Sequence, residues 1–569
     1  MRNRFILKLK LDGLLSKGSG RQLWWLLGAT FTVVAIAILC VYLFFSDSEI
    51  VWEDIIATFI DPGYNPGPGS HYWFRLILSL LSTFIFSALL ISVFTNIFEN
   101  ISEAVREGRR RYRLEGHTIV FGSGIYLEKV VRELLARGRT VVVMSEKDPG
   151  IEGAIYYNGS QDSEEDVLST GAEKAEDIYI IGEDDSPRHD ELNLLTLKYL
   201  KNACGSGVHV FVTIKDSTTA EVFQYTRKCE EGLSVDIVDD LEYQAEQLLL
   251  SDSFLPIIKR GEDAAAHFFI IGASPAARAT ARMIAHICHY PSFTQYGRRT
   301  KITFIAQGAA DLMNNLASSR PYLFEHSRYR YIAPDGSIQE HIPSSDKDFL
   351  DIEWQFADFA ENTPEARKMM SEAALSERTR VIVCKENPSE ATDSVLHLPE
   401  EVYTNAKAAI LLGGSKEMID RAAATGMYGD ITVFGLAADT ISDPLLERRV
   451  QLGKRVNRIY NNAYGNPPAS DAEKAWGKLK EADKFSSIYC ACALPLRKLC
   501  YDLEGDRLPL YEAEHRRWMM SEFLMGFRPG AATDKKKFVH ADIIPFCDLP
   551  EAEKEKDKIL VDAIEEILS

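Results

Sequence analysis

EGHTIVFGSGIYLEKVVRELLARGRTVVVMSEKD, residues 115–148, carries the pattern of a strand, a helix and a second strand. The apolar runs at 117–121 and 140–144 predict buried parallel strands, and the spacing of apolar residues over 126–136 predicts an amphipathic helix between them. Gly122 and Gly124 stand in the first turn, where glycine permits a tight bend and lets a phosphate approach the N-terminus of the helix. The stretch therefore predicts a βαβ unit of the Rossmann type.

A nucleotide site in this turn is one of two interpretations. Glu146 follows the second strand, 24 residues after Gly122, which is about where a carboxylate binds ribose hydroxyls. The third glycine of the dinucleotide fingerprint, however, is replaced by Leu127. Dinucleotide binding and a nucleotide-free Rossmann scaffold therefore both fit the residues.

The same pattern recurs in the middle of the chain. HFFIIGASPAARATARMIAHI, residues 267–287, again places a strand, a turn and a helix in succession, and further strands are predicted at 301–309, 380–384 and 430–436. The turn contains one glycine, Gly272, followed by Ser274 and Pro275, so we expect no nucleotide there. We expect a first Rossmann-like domain over 116–260 and a second, degenerate one over 261–440.

The last part of the chain, residues 441–569, predicts a small α-helical domain, with a loop at 465–470 and a closing helix at 554–568. This segment also contains several aromatic residues and arginines that could form a pocket. An aromatic wall beside guanidinium groups suits a planar anionic ligand such as a nucleotide messenger. The alternative is that the aromatic residues form a core and the arginines pair with acids. The candidate pocket residues are Tyr460, Trp476, Arg516, Arg517, Trp518, Phe527 and Arg528.

Two uncharged runs of 23 residues lie at 23–45 and 76–98, each long enough to cross the roughly 30 Å hydrocarbon layer of a bilayer. Six Lys and Arg residues precede the first run and five follow the second, whereas the loop at 46–71 contains none. By the positive-inside rule, both termini are cytoplasmic. The sequence predicts a two-pass protein of the cytoplasmic membrane, with a basic cytoplasmic N-terminus at 1–22.

The loop between the two runs contains five acidic residues. Its segment 51–60 is apolar enough for a short re-entrant helix, and the pore loop at 51–69 would complete a two-helix pore domain at 23–98. Uncompensated acids would concentrate cations at the mouth of a pore, and two helices can enclose a pore only in an oligomer. A two-helix anchor with an exposed acidic hairpin is the alternative, because the potassium filter TVGYG is absent.

Composition excludes other classes of function. The 569 residues include 64 Lys and Arg and 83 Asp and Glu, and the net charge of −19 argues against a nucleic-acid partner. Nine cysteines without a CxxC pair suit reduced thiols. No catalytic motif and no metal-ligand spacing is found, and the neighbours Glu514 and His515 point to different faces of a helix. We expect neither an enzyme nor a metal site.

GHTIVFGSG (116–124) followed by NGSQDSEEDVLSTGAEKAEDIYIIGEDD (158–185) resembles the RCK, or TrkA-N, domain that regulates potassium channels and transporters. The order of helix, FENISEAVREGRRR linker and EGHTIVFG is similar to the CASTOR/POLLUX branch of ion channels. This resemblance implies a homotetrameric cation channel with two RCK domains per chain and a gating linker at 99–115. It implies a filter at Asp61, Pro62, Gly63, Tyr64 and Asn65, and a nucleotide site at Gly122, Ser123, Gly124, Glu146 and Asp162.

The segments around Trp476, EHRRW (514–518) and DLPEAEKEKD (548–557) resemble the RyR domain, a helical module named from ryanodine receptors. Phe527 stands where that module usually has Trp. Together the resemblances imply a ligand-gated cation channel, most simply for potassium, with a nucleotide, a cyclic dinucleotide, NAD(H) or Ca²⁺ as regulator. Membrane lipid, the permeant monovalent or divalent cation and a small-molecule regulator are the expected partners. The rivals are a non-conducting membrane-anchored sensor and an NAD-dependent enzyme on an anchor.

Overall fold

The computed structural model describes residues 19–44, 57, 61, 72–183, 186–204, 208–215, 233–251, 254–412, 416–435, 443–464, 472–501 and 503–569. The chain divides into two compact units, residues 1–111 and 112–569.

Two helices, α1 (Ser19–Phe44) and α2 (Tyr72–Arg106), cover residues 23–44 of the first uncharged run and all of the second. Helix α2 continues beyond residue 98, so the first part of the expected linker at 99–115 is helical. A search of the described residues for a helix with the length and apolar character of a membrane span finds none. Asp61 is exposed, and its main-chain N–H donates to the carbonyl of Ala57 at 2.8 Å. The remaining filter candidates, Pro62, Gly63, Tyr64 and Asn65, lie outside the described residues.

The large unit begins with a fully parallel sheet whose six described strands have the order β3-β2-β1-β4-β5-β6. This is the doubly wound Rossmann order, and it confirms the fold predicted from residues 115–148. The strands are β1 (Thr118–Ser123), β2 (Val141–Ser145), β3 (Ile155–Asn158), β4 (Asp177–Glu183), β5 (Val208–Ile214) and β6 (Leu233–Asp239). Helices α3 (Ile125–Ala136), α4 (Glu164–Leu168), α5 (His189–Ala203) and α6 (Asp240–Leu250) and a 3₁₀ turn (Ala172–Lys174) accompany them.

Glycine is required at the end of β1 because two strands approach closely there. Gly122 has a φ of +132°, and a Cβ at this position would lie 2.2 Å from the carbonyl oxygen of Gly182 on β4. No L side chain fits this contact, so the first glycine of the turn has a packing role whether or not a nucleotide binds.

A second sheet has eight described strands in the order β10-β9-β11-β8-β7-β12-β13-β14, parallel except for the hairpin of β9 and β10. Without the hairpin this is again the Rossmann order, as predicted. The strands are β7 (Ala266–Ile271), β8 (Thr300–Ile305), β9 (Arg328–Ile332), β10 (Ile338–His341), β11 (Ile352–Ala357), β12 (Arg378–Val383), β13 (Lys407–Leu411) and β14 (Ile431–Phe434). The helices are α7 (Pro275–Ile287), α8 (Pro291–Tyr296), α9 (Ala309–Ser319), α10 (Pro321–His326), α11 (Pro364–Ser376), α12 (Pro388–Leu396), α13 (Glu400–Asn405) and α14 (Glu417–Ala423).

The described residues from 443 to 569, here called the C-terminal module, are mostly helical, as predicted. Their elements are α15 (Asp443–Tyr464), α16 (Ala472–Gly477), α17 (Glu481–Cys500), α18 (Leu508–Leu524), β15 (Arg528–Pro529), β16 (Val539–His540), α19 (Glu551–Asp562), α20 (Ile564–Leu568) and the 3₁₀ turns Lys535–Lys537 and Phe546–Asp548. Helices α17 and α18 pack on α7 of the second sheet, and α17 also contacts α6 of the first. One hydrophobic core therefore continues from both sheets into the module.

Buried ion pairs cross the same boundaries. Arg449 on α15 lies 2.9 Å from Glu246 on α6, and both side chains are at most 5% exposed. Lys484 on α17 lies 3.2 Å from Asp236 on β6. A buried charge that loses its partner cannot recover its hydration, so these pairs hold the module in one position on the sheets.

We predict that Arg449→Met lowers the free energy of unfolding by about 3–5 kcal/mol, because it leaves the Glu246 carboxylate buried without its cation. Lys498→Met is the matched control, since it removes an exposed pair with Glu565 (2.7 Å) and should cost less than about 1 kcal/mol. Urea unfolding of both variants measures the difference. Equal, small effects would show that the buried pair contributes little.

Candidate functional site

The first candidate site lies at the carboxyl ends of β1, β2 and β3, which are neighbours in the sheet. Gly122, Ser123 and Gly124 follow β1, and no side chain caps the first turn of α3. The main-chain N–H groups of that turn therefore face the position where a phosphate binds in Rossmann folds.

The acidic candidates of this site lie beside the same edge. Glu146 follows β2, is exposed, and its carboxylate accepts a hydrogen bond from the Ser160 hydroxyl at 3.1 Å. Asp162 lies in the loop after β3, where its main-chain carbonyl accepts from the Tyr199 hydroxyl at 3.1 Å. The structure therefore brings the five sequence-predicted residues to one edge of one sheet.

The corresponding turn of the second sheet is filled by its own side chains. The Ser274 hydroxyl accepts from the main-chain N–H of Ala277 at 3.1 Å, which caps α7, and donates to the carbonyl of Cys384 at 2.7 Å. A Cβ on Gly272 would meet that same carbonyl oxygen at 2.6 Å.

The next helix of the second sheet is capped in a similar way. The Asp358 carboxylate accepts from the main-chain N–H of Gly308 at 2.7 Å, at the N-terminus of α9. A protein carboxylate thus occupies the N-terminus of α9, where the helix dipole favours an anionic group.

A cavity of 440 Å³ lies inside the C-terminal module. Aromatic and aliphatic side chains form one part of its wall, and polar and charged side chains form the rest. The lining includes Tyr460, Lys480, Asp483, Glu514, Arg517, Trp518, Glu522, Phe527, Lys535, Phe538, His540, Asp542, Glu553, Lys556 and Asp557.

Four of the seven predicted pocket residues line this cavity: Tyr460, Arg517, Trp518 and Phe527. The other three lie elsewhere. The Trp476 indole is buried, and its N–H donates to Asp236 at 3.3 Å. Arg516 lies 3.2 Å from Asp351, and the Arg528 guanidinium lies 5.6 Å from the centre of the Tyr322 ring. Of the three arginines expected to bind a phosphate, only Arg517 is at the cavity.

Arg517 is already paired. Its guanidinium lies 2.8 Å from Glu514, and Arg497 also contacts this carboxylate, so two cations share one buried acid. Burial raises the pKa of Glu514, but the two arginines outweigh it and lower the pKa to about 2. His515 is occupied as well, because its ring nitrogens contact the Asp557 carboxylate at 2.9 Å and the carbonyl of Ile544 at 2.8 Å. Both Glu514 and His515 are therefore engaged in contacts within the module.

Glu522 is the cavity residue that differs most from this pattern. Its side chain is 7% exposed, and no hydrogen bond of its carboxylate to a described residue is found. Burial raises the pKa of this carboxyl, Lys535 lowers it and Asp483 raises it further. The net result is a pKa of about 7. An ordinary glutamate in the middle of EHRRWMMSEFLMG gave no signal in the sequence, since neither its burial nor its lack of a partner follows from spacing.

His540 supplies a second polar group. Its Nδ1 accepts from the main-chain N–H of Asp542 at 3.3 Å, which places the proton of the neutral ring on Nε2. Burial, together with Lys535 and Lys556, lowers the pKa of His540 to about 4, so the ring is neutral at physiological pH. Among the described residues, no group of three or more metal-ligating side chains is found.

Comparisons with known proteins do not assign the chain to a family. No protein-family model matches it, and no curated protein does. Solved structures that are similar include the GsuK channel bound to NAD, with 12% identity and a TM-score of 0.40 over 79% of this chain and 85% of that one. GsuK bound to ADP has 12% identity and a TM-score of 0.38 over 74% and 97%. The GsuK RCK domain has 12% identity and a TM-score of 0.33 over 61% and 82%.

We predict that the protonation of Glu522 makes the stability of the large unit depend on pH. Its folded-state pKa of about 7 exceeds the ordinary value of 4.5, so stability falls as the pH rises from about 4.5 to 7 and stays lower above that. Glu522→Gln removes the ionisable group, so it should stabilise the protein by about 2–3 kcal/mol at pH 8 and by little at pH 5. Urea unfolding at both pH values tests this, with Glu512→Gln on the same helix as control. A Glu522→Gln effect that is equal at the two pH values would contradict the prediction.

Proposed function

We propose that this protein is a ligand-gated cation channel, most simply for potassium, that acts as a homotetramer in the cytoplasmic membrane. The order of features along the chain carries the proposal: two uncharged runs enclose a loop with five acids and no Lys or Arg, and two Rossmann-type sheets follow. The helices over the two runs also leave large apolar side chains exposed, among them Phe31, Tyr42, Trp73 and Phe84 at 72–77%. Apolar surface of this kind suits contact with lipid or with other subunits.

The gating part of the proposal assigns a nucleotide to the first sheet. The turn at 122–124 offers glycines and an uncapped helix, and Glu146 lies at the neighbouring strand end. A ligand that favours one conformation of a ring of such domains would pull on α2 and shift the equilibrium between closed and open pore. The cavity of the C-terminal module supplies a place for a second regulator.

A non-conducting, membrane-anchored sensor is the second candidate. It shares the two helices and the ligand sites, and it differs in having no pore. The acidic loop without basic residues favours the channel, because an anchor has no need to concentrate cations.

We expect purified full-length protein in liposomes to conduct cations, and Asp61→Asn to change the rate or the order of K⁺, Na⁺ and Ca²⁺ flux, because Asp61 belongs to the proposed pore loop. Glu107→Gln, which removes a carboxylate paired with Arg109 after α2, is the matched control and should leave selectivity unchanged. Ion flux from loaded vesicles measures both. Folded, tetrameric protein without flux would favour the sensor.

We also expect NAD or ADP to bind at the first sheet, and Glu146→Ala to weaken binding about tenfold or more by removing an acceptor for ribose hydroxyls. Glu152→Ala changes an exposed acid in the following loop and should have no effect. Isothermal titration of the full-length protein compares the two variants. Equal affinities of the two variants would show that the nucleotide does not bind at this edge of the sheet.

A further inference from the structure

The charges around the cavity of the C-terminal module are unfavourable for a phosphorylated ligand. Six acidic residues and four basic residues line it among the described side chains. The acids are Asp483, Glu514, Glu522, Asp542, Glu553 and Asp557, and the basic residues are Lys480, Arg517, Lys535 and Lys556.

Three of the four cations are already paired with acids of the module. Arg517 pairs with Glu514 at 2.8 Å, Lys535 pairs with Asp483 at 3.1 Å, and Lys556 contacts Glu553. A phosphate that enters the cavity would have to displace one of these acids and would still face the others. The lining therefore selects against multiply charged anions.

The carboxylate of Glu522 is a hydrogen-bond acceptor on the cavity wall. Glu522 is 7% exposed and lines the cavity, and no donor among the described residues bonds to its carboxylate. A ligand that supplies two adjacent N–H groups in the cavity would satisfy both oxygens of this carboxylate at once. The aromatic rings of Tyr460, Trp518 and Phe527 form part of the same wall, and such surfaces favour a flat ligand.

We propose that this cavity binds a planar nitrogen heterocycle or aromatic amidine that carries no phosphate and presents adjacent N–H donors to the carboxylate of Glu522. The edge of a guanine ring and an amidinium group share this chemistry. The neutral His540 ring, with its proton on Nε2, adds one donor for a ring carbonyl or ring nitrogen. The inference rests on the proposal that the C-terminal module holds a regulatory ligand, and it names the class of that ligand.

The test is isothermal titration of full-length protein at pH 7.5 with guanosine, benzamidine and GMP as probes. We expect guanosine, benzamidine or both to bind, and Glu522→Gln to weaken that binding about tenfold or more, because the amide turns one of the two acceptors into a donor. Glu512→Gln is the control: this carboxylate, on the same helix, contacts Thr294 at 3.2 Å and does not line the cavity. Binding of guanosine alone would indicate a nucleoside-like ligand, and binding of benzamidine alone would indicate a cationic amidine.

Three results would overturn the inference: neither probe saturates the protein, Glu522→Gln leaves the affinity unchanged, or GMP binds more tightly than guanosine in a manner that Glu522→Gln abolishes. Folding of the variant is monitored by the urea experiment described above. Binding is read directly, so it does not depend on ion flux. Guanosine binding without ion flux would support the ligand site and count against the channel. Ion flux without binding of either probe would support the channel and count against the ligand site.

Discussion

A row of buried carboxylates in β6 and along α6 is the constraint on which the large unit depends. Asp236, Asp239, Glu242 and Glu246 are each at most 5% exposed. Isolated carboxylates at this depth would cost several kcal/mol each, so the fold is stable only where cations reach them. The cations come from distant parts of the chain: Lys484 to Asp236 (3.2 Å), Arg282 to Glu242 (2.8 Å), and Arg449 to Glu246 (2.9 Å). The first sheet, α7 of the second sheet and the C-terminal module therefore stabilise one another, because none satisfies these charges alone.

The same contacts connect the wall of the cavity to the sheets. Arg517, at the cavity, donates to the Ser521 hydroxyl at 3.0 Å, and Ser521 lies 2.9 Å from Nδ1 of His286 on α7. The His286 ring stacks on Tyr489 at 3.8 Å between centres, and the Tyr489 hydroxyl donates to Glu242 at 2.9 Å. A ligand that changed the pairing of Arg517 would thus act on a continuous chain of buried hydrogen bonds and one ring stack that ends on α6.

The sequence predicted the repeated elements well and the long-range pairings poorly. TIVFGS and AHFFII each contain an unbroken apolar run, 119–121 and 268–271, as expected for strands buried on both faces, so two Rossmann sheets could be predicted. Strand β11, IEWQFA, and the hairpin strand RYRYI mix polar with apolar residues and were not predicted, because their positions at the outer side of the sheet become clear only from their neighbours. Trp476 had the signature of a ligand-binding aromatic, yet its partner, Asp236, lies 240 residues earlier in the chain. No local pattern contains that information.

The two candidate ligand sites select opposite charges. The first turn of α3 offers main-chain N–H groups and the positive end of a helix, which favour a phosphate, whereas the cavity offers a buried carboxylate amid an excess of acids. A single nucleotide cannot satisfy both, since the phosphates that anchor it at the first site would be repelled at the second. If both sites regulate the protein, they must respond to chemically different molecules. The row of buried ion pairs at α6 is in contact with both parts, because α6 follows the last strand of the first sheet and also packs against the module that contains the cavity.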